Sequence, residues 1–149
     1  MTGKHDWMSI GEVARSTGTK VQTVRYYEQL GLLPPAPRTS GNQRLYDEAA
    51  RKRLRFIRHA RELGFPLEAV RELLRLADHP EKACAEADSI AARQLDAVNQ
   101  RIERLKSLRR ELERMVAGCD GESVAHCRVL ETLDDHRLCL EPHHGAATL

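Results

Sequence analysis

The sequence predicts a mainly α-helical protein with an N-terminal winged helix-turn-helix head, a long coiled-coil dimerisation helix and a short C-terminal loop. Two short amphipathic segments joined by a Gly-containing turn predict the head. A stretch without Pro or Gly over residues 83–117 predicts the long helix. We expect the head in residues 1–77, a linker and the long helix in 78–118, the loop with a short helix in 119–134, and a flexible tail in 135–149.

Composition and charge narrow the class of protein. The 149 residues are 41% hydrophobic and 31% charged but only 4% aromatic, which favours long helices. The formal charge is +6 over residues 1–75 and −4 over residues 76–149, so we expect a polyanionic partner for the first half. No apolar run is long enough to cross a membrane, and residues 1–8 hold no apolar leader. These observations predict a cytoplasmic protein with no membrane partner.

Capping residues mark the two short helices of the head. Ser9 is a good N-cap, and Glu12 three residues later completes a capping box. After the turn at Gly18, Thr19 is expected to cap the second helix, which Gly31 ends. The two helices and their turn predict a helix-turn-helix.

A wing and two further helices are expected next. Prolines exclude a helix after Leu33, and the turn residues 40–42 separate two short extended stretches, which predicts a β-hairpin. Asp47 is expected to cap a third helix that runs to about Leu63. A fourth helix is expected over residues 67–77.

The long helix carries an apolar seam with steps of mostly four and three residues, typical of a coiled coil. The seam consists of Ala87, Ala91, Leu95, Val98, Ile102, Leu105, Leu112 and Val116. The rest of the chain has no segment long enough to cover it, so a second copy of the chain is the expected partner.

A helix-turn-helix places the first residues of its second helix at base edges in the major groove of double-stranded DNA. Here these residues are Lys20, Gln22 and Thr23, whereas Arg25 and Tyr26 are better placed for phosphates. The wing adds four residues that are expected to reach the flanking backbone or minor groove: Arg38, Asn42, Gln43 and Arg44.

The cysteines predict metal or redox chemistry, because a reducing compartment disfavours structural disulfides. Cys119 and Cys127 can converge on one soft cation. Cys84 lies 35 residues before Cys119, about 50 Å along a helix, and cannot share that ion within one chain. If the helices pair antiparallel, Cys84 of the partner subunit completes the site. The short C-terminal loop that holds Cys119 and Cys127 is therefore expected to bind metal.

Other potential ligands are weaker candidates. Cys139, His143 and His144 are candidates for an accessory metal site on the tail, and the alternative is a disordered tail whose thiol has no role. His126 is either an accessory ligand beside Cys127 or a solvated loop residue. Three histidines are assigned to the surface: His5, His59 and His136.

Several motifs together resemble the MerR family of transcriptional regulators over nearly the whole chain. They are the runs at residues 10–14, 23–28, 31–34, 41–46, 56–58 and 63–67, which read IGEVA, TVRYYE, GLLP, GNQRLY, FIR and LGFPL. The resemblance implies an antiparallel coiled-coil homodimer and promoters with an overlong spacer. It also implies that the effector-bound dimer distorts the DNA so that RNA polymerase can start transcription.

The resemblance also narrows the metal. Divalent-ion sensors of this family have Cys where Cys84 stands, whereas monovalent copper, silver and gold sensors have Ser, so the resemblance implies zinc, cadmium, lead or mercury. The loop between Cys119 and Cys127 is closer in length to that of copper sensors, which leaves the ion open. In zinc sensors of the family, a loop His such as His126 helps to hold a second zinc.

Three other functions compete with metal sensing. One is a thiol-based redox or electrophile sensor on the same scaffold, and another is a DNA-architectural protein whose cysteines are only structural. The third is an enzyme that uses Cys127 and His126, but adjacent side chains rarely point together and no pocket-forming fold is expected. We therefore predict a regulator and not an enzyme.

Overall fold

The computed structural model describes residues 6–119, 121 and 123–144. The chain forms two compact units, residues 1–92 and 93–149. In the described part, no helix is long and apolar enough to cross a membrane.

The first unit contains all the helices that were predicted for the head. They are α1 (Ile10–Thr17), α2 (Val21–Gln29), α3 (Glu48–Glu62) and α4 (Leu67–Ala77). A two-stranded antiparallel sheet joins β1 (Met8–Ser9) to β2 (Leu45–Tyr46). Helix α1 packs on α2 and α3, and α3 packs on α4. The mainly α-helical fold with a helix-turn-helix head is therefore confirmed.

The expected caps are correct at two helices and wrong at one. Ser9 accepts from the backbone N–H of Glu12, and the Glu12 carboxylate accepts from the N–H of Ser9, so α1 begins with the predicted capping box. Asp47 caps α3 as expected. Thr19 does not cap α2: the N-cap is Lys20, and the Thr19 hydroxyl is buried without a hydrogen-bond partner. The prediction failed because the turn after Gly18 places the start of the helix one residue later.

The wing is shorter than the predicted hairpin. Arg38 and Arg44 form a single antiparallel bridge around the turn, where Asn42 adopts a left-handed conformation with φ of 65°. The chain then leaves the hairpin, and its next two residues pair with β1, with Tyr46 opposite Met8. The end of the wing is thus tied to the start of α1.

The core of the head comes from α1 to α4, from β2 and from the segment after α2. Its largest fully buried side chains are Tyr46, Leu32, Leu33, Leu54, Ile57, Val13, Val24 and Val70. Burial of about a dozen apolar side chains gives the head a core of its own, which holds α2 in a fixed position.

Helix α5 (Ala85–Ala117) begins in the first unit and continues into the second. Its apolar seam is exposed in the single chain, from Leu95 with 60% of its surface accessible to Val116 with 71%. After α5 come a 3₁₀ turn (Val124–His126), α6 (Arg128–Asp134) and a second 3₁₀ turn (His136–Leu138).

The described residues of the tail, for which flexibility stays a prediction, hydrogen-bond to α5. The backbone N–H of Leu140 donates to the Glu111 carboxylate at 2.8 Å, and Arg114 donates to the carbonyl of Leu138 at 2.6 Å. The described tail residues therefore pack along α5. Polar anchors of this kind are not visible in apolar periodicity, and residues 145–149 lie outside the described part.

Candidate DNA interface and metal-binding residues

Helix α2 presents a polar face and buries the opposite one. Val24 and Tyr27 are buried against the head, whereas Gln22 and Arg25 are exposed, as is Lys20 at the N-cap. No side chain of the described residues caps the first turn of α2. The N–H of Thr23 donates to the Lys20 carbonyl at 2.9 Å, so the N–H groups of Val21 and Gln22 are the ones that can donate to an anion. A polar exposed face that starts with these N–H groups is suited to a phosphate backbone and base edges.

The other two predicted residues of α2 lie at the edges of this face. Thr23 is half-buried and Tyr26 is exposed. The Tyr26 ring lies 6.0 Å from the ring of Tyr27, measured between centroids. Tyr27 belongs to the core, whereas 47% of the Tyr26 surface is accessible.

Polar residues of the wing form hydrogen bonds with one another. Arg38 donates to the side-chain oxygen of Asn42 at 2.9 Å, and the N–H of Gln43 donates to the hydroxyl of Thr39 at 3.2 Å. The side chain of Gln43 is exposed. Arg38 and Asn42 therefore support the turn as well as offering donors at the surface.

Arg44 has a structural partner that sequence reasoning missed. Its Nε lies 3.0 Å from the Glu28 carboxylate, which also accepts from the Tyr46 hydroxyl at 2.8 Å. Burial of Tyr46 beside Glu28 raises the pKa of that phenol well above its ordinary value. This network joins the wing to α2, so one carboxylate fixes the wing relative to the recognition helix.

Three further arginines hold loop carbonyls of the head, a role that basic composition alone did not indicate. Arg58 donates to the Thr17 carbonyl at 2.7 Å, Arg53 to that of Leu32 at 2.7 Å, and Arg71 to that of Leu30 at 2.7 Å. The first contact matters most for α2, because a Cβ on Gly18 would lie 2.0 Å from the Arg58 guanidinium. A side chain at position 18 would displace the Arg58 guanidinium, and the φ of 62° also favours glycine there.

The three predicted thiol ligands are free cysteines near the ends of α5. Cys84 is exposed in the turn before the helix, with its Sγ 3.7 Å from a carboxylate oxygen of Asp88. Cys119 is exposed just after the helix, and Cys127 is half-buried at the N-terminus of α6. Three unoxidised sulfur atoms are the donor type that soft divalent ions prefer.

His126 does not join a ligand cluster within the described residues of one chain. It is exposed at the end of the first 3₁₀ turn, next to Cys127. The nearby surface depression that includes Cys127 is lined mainly by apolar and acidic side chains, namely Val124, Ala125, Leu130, Glu131, Leu133 and Asp134.

The tail does bring three potential ligands together, but not the three that we expected. His136, Cys139 and His144 each offer one donor atom within 4.8 Å of the other two, whereas His143 is exposed and outside the group. His136 is exposed, as expected, and it also belongs to this cluster. The His-x-x-Cys spacing was the available signal, because residues three apart eclipse each other on a 3₁₀ turn.

Comparison with known families shows matches that together span residues 8–115. Residues 8–77 match the family described as "MerR HTH family regulatory protein", and residues 51–115 match "MerR, DNA binding". The HTH-type transcriptional regulator ZntR of Escherichia coli (strain K12) is 42% identical over 128 residues, covering 84% of this chain and 91% of the relative.

Two solved structures resemble the chain in fold and in sequence. The transcription regulator PbrR691 from Ralstonia metallidurans CH34, in complex with lead(II), is 40% identical with a TM-score of 0.74, covering 85% of this chain and 98% of that one. The dual-function transcriptional regulator MerR from Bacillus megaterium MB1, in complex with mercury(II), is 30% identical with a TM-score of 0.64, covering 86% and 100%.

Proposed function

Because this chain belongs to the MerR family of helix-turn-helix regulatory proteins, we propose that it is a metal-responsive transcriptional regulator. It binds promoter DNA as a homodimer, and it activates transcription by RNA polymerase when a divalent thiophilic ion is bound. The names of its relatives support this class, since two were solved with lead(II) and mercury(II). Zinc, cadmium, lead and mercury are the candidate ions.

The head supplies the DNA contacts. Lys20, Gln22 and Thr23, at the start of α2, are assigned to base edges, and Arg25 and Tyr26 to phosphates. The exposed polar face of α2 and the absence of a side-chain cap on its first turn support this assignment. Four wing residues are assigned to the flanking backbone or minor groove: Arg38, Asn42, Gln43 and Arg44. Among them, Arg44 acts mainly through its ion pair to Glu28.

The exposed seam of α5 supports the dimer. Its large apolar side chains are 39% to 71% accessible in the single chain, and they recur along one stripe of the helix. The same apolar stripe on a second copy of the chain can cover this one, in an isologous interface. We assign the antiparallel arrangement because it places the start of one α5 beside the end of the other.

The observation that carries the metal proposal is the position of the thiols at the two ends of α5. In an antiparallel pair, Cys119 and Cys127 of one protomer lie beside Cys84 of the partner subunit. The three sulfur atoms would hold one soft ion, and the symmetric dimer has two such sites. His126 is a candidate ligand for a second ion at the same loop.

Such a site responds to metal by fixing one protomer against the other. A bound divalent ion supplies the charge that draws the three thiolates together. Cys84 lies directly before α5, and Arg75 of α4 lies 3.9 Å from Glu86 in the first turn of α5. A displacement of Cys84 would move the start of α5, and we infer that the head, which holds the promoter in one of two shapes, responds to that movement.

The test is run-off transcription in vitro from the promoter that the purified protein selects, with zinc, cadmium, lead, mercury and copper(I) compared. Cys84→Ser is expected to bind the promoter within about twofold of the unchanged protein and to lose at least about tenfold of the metal-dependent activation, by loss of one ligand. Ala83→Ser, which places the same side chain one residue earlier, is the matched control and is expected to respond normally. Unchanged activation of Cys84→Ser would contradict the intersubunit site. Activation by an oxidant in metal-free buffer would favour a redox sensor instead.

A further inference from the structure

We propose that His136, Cys139 and His144 form a second metal site, separate from the cysteines at the ends of α5, that binds zinc or a similar borderline divalent ion. One donor atom from each residue lies within 4.8 Å of the other two. All three belong to the second unit, so the site is complete within one chain. It therefore does not depend on the dimer or on the intersubunit site proposed above.

Local backbone structure creates the cluster. The 3₁₀ turn His136–Leu138 is capped by Asp135, whose side chain accepts from the N–H of Arg137 at 3.0 Å. The N–H of Cys139 then donates to the carbonyl of His136 at 3.0 Å. Because side chains three residues apart eclipse each other in this geometry, the imidazole of His136 and the thiol of Cys139 project to the same side.

The hydrogen bond of His136 leaves one ring nitrogen available for a metal. Its Nε2 lies 2.6 Å from the carbonyl oxygen of Pro142, which can only accept, so Nε2 carries the hydrogen. In the neutral ring, Nδ1 then keeps its lone pair. A ligating histidine that donates its other N–H to a backbone carbonyl is the usual arrangement at protein metal sites.

His144 supplies the second, independent observation. Its Nδ1 is buried and has no hydrogen-bond partner, although a buried polar nitrogen without a partner is costly. Its ring meets that of His136 edge to face, with 5.0 Å between centroids. A cation bound through Nδ1 of His144 would give this nitrogen the partner that the described protein atoms do not supply.

The donor set selects the class of ion. One thiolate and two imidazoles are ligands that zinc accepts in tetrahedral sites, with a fourth position left for water. Donor atoms around tetrahedral zinc lie about 3.4 to 3.6 Å apart, so a cluster whose donor atoms lie within 4.8 Å of one another contracts by at most about 1.4 Å to bind the ion. The all-sulfur set proposed at the ends of α5 favours softer ions, and the two sites therefore differ in preference.

Metal at this site would fasten the tail to α5. The tail already contacts that helix through Leu140 on Glu111 and through Leu138 on Arg114, and Glu141 lies 3.5 Å from Arg110. Ligands at positions 136 and 144 bracket all three tail residues. An ion that joins them closes the segment into a loop and reduces its freedom to leave the helix.

Cobalt(II) titration of the full-length protein tests the site. The background is the variant Cys84→Ser/Cys119→Ser/Cys127→Ser, in which Cys139 is the one remaining thiol. We expect one cobalt ion per protomer, with a thiolate-to-cobalt charge-transfer band and the strong visible bands of tetrahedral cobalt, both displaced by zinc. In this background His136→Gln should weaken binding at least about tenfold, and Cys139→Ser should abolish the charge-transfer band.

His143→Gln is the matched control, since it alters the exposed neighbour of His144 and should leave the affinity unchanged. Hydrogen exchange of residues 136–144 is a second readout, and zinc should slow it in the background variant but not in the His136→Gln variant. Unaltered cobalt affinity in His136→Gln, or an equal loss in His143→Gln, would overturn the assignment. Because the intersubunit thiols are already replaced, failure of metal-dependent transcription leaves these outcomes unaffected.

Discussion

The carboxylate of Glu111 accepts a hydrogen bond from the backbone N–H of Leu140 at 2.8 Å, across 29 residues of chain. Only 4% of the Glu111 residue surface is accessible, and the same carboxylate is paired with Arg114. The bond to Leu140 is the main cause of a lowered pKa for Glu111, so the carboxylate is charged when the tail is bound. One residue of α5 thus connects an ion pair within the helix to the tail.

Glu111→Gln is expected to loosen the tail without affecting the head, because the charge that strengthens both hydrogen bonds is removed. Amide exchange of residues 136–141 should accelerate on the order of tenfold, as measured by mass spectrometry on the metal-free protein. Glu113→Gln, two residues away and exposed, is the control. Equal exchange in the two variants would contradict the role of Glu111.

Tyr46→Phe is expected to destabilise the head by about 2 kcal/mol, because a buried donor to the charged Glu28 is lost. Urea unfolding should show a lower midpoint and an unchanged slope. Tyr26→Phe removes a hydroxyl from an exposed ring and should leave the midpoint within error. A similar loss in both variants would show that the Glu28 contact is unimportant.

The capping box of α1 predicts a pH dependence of stability. The hydrogen bond from the N–H of Ser9 lowers the pKa of Glu12 below 4.5. The stability that it contributes is therefore present above pH 4.5 and is lost as the pH falls through the lower pKa of the folded protein. The melting temperature of the unchanged protein should exceed that of Glu12→Gln at pH 7, and the gap should close in acid. A difference in melting temperature that stays constant down to pH 3 would refute the role of Glu12. An equal pH-dependent difference for the control Glu81→Gln would refute it as well.

Arg25→Ala tests the assignment of Arg25 to a phosphate. Affinity should fall for specific and random duplexes alike, and the slope of log affinity against log salt should decrease by about one per protomer. The control is Lys106→Ala, which removes the same charge from α5. Fluorescence anisotropy over a salt series measures both, and a loss confined to the specific duplex would assign Arg25 to base recognition instead.

Ile102→Glu is expected to weaken the dimer at least about 100-fold, since each protomer loses the burial of one large apolar side chain and gains a charge in the seam. Gln100→Glu introduces the same residue on the opposite face and is expected to have little effect. Sedimentation equilibrium determines both dissociation constants. A seam that packed within its own chain would give monomers for all three proteins.

Sequence patterns predicted the elements whose determinants are local. Asp47, the Ser9 capping box and the apolar period of α5 each act within a few residues, and the corresponding helix boundaries agree with the structure to within about two residues. The pairing of β1 with β2 was missed because a two-residue strand has no measurable alternation. Its register depends on where the wing ends, which is a tertiary property.

The candidate sites show the same division. The recognition helix followed from its position after a Gly-containing turn, but the pairing of Arg44 with Glu28 required the folded backbone. On the tail, Cys139 and His144 were expected and His136 was not. The reason is that His136 reaches the cluster through a 3₁₀ turn, a structure too short to leave a period in the sequence.

Glu111, the residue of α5 that anchors the tail, directly precedes Leu112, which belongs to the exposed seam. The two side chains are about 100° apart around the helix. One inserted residue between Val98 and Glu111 would turn the anchor and the end of the seam by that angle away from the seam's beginning. Seven inserted residues would restore the alignment to within about 20°. The relative orientation of the tail contact and the seam is therefore kept by insertions of about seven or eleven residues and lost by insertions of one or two.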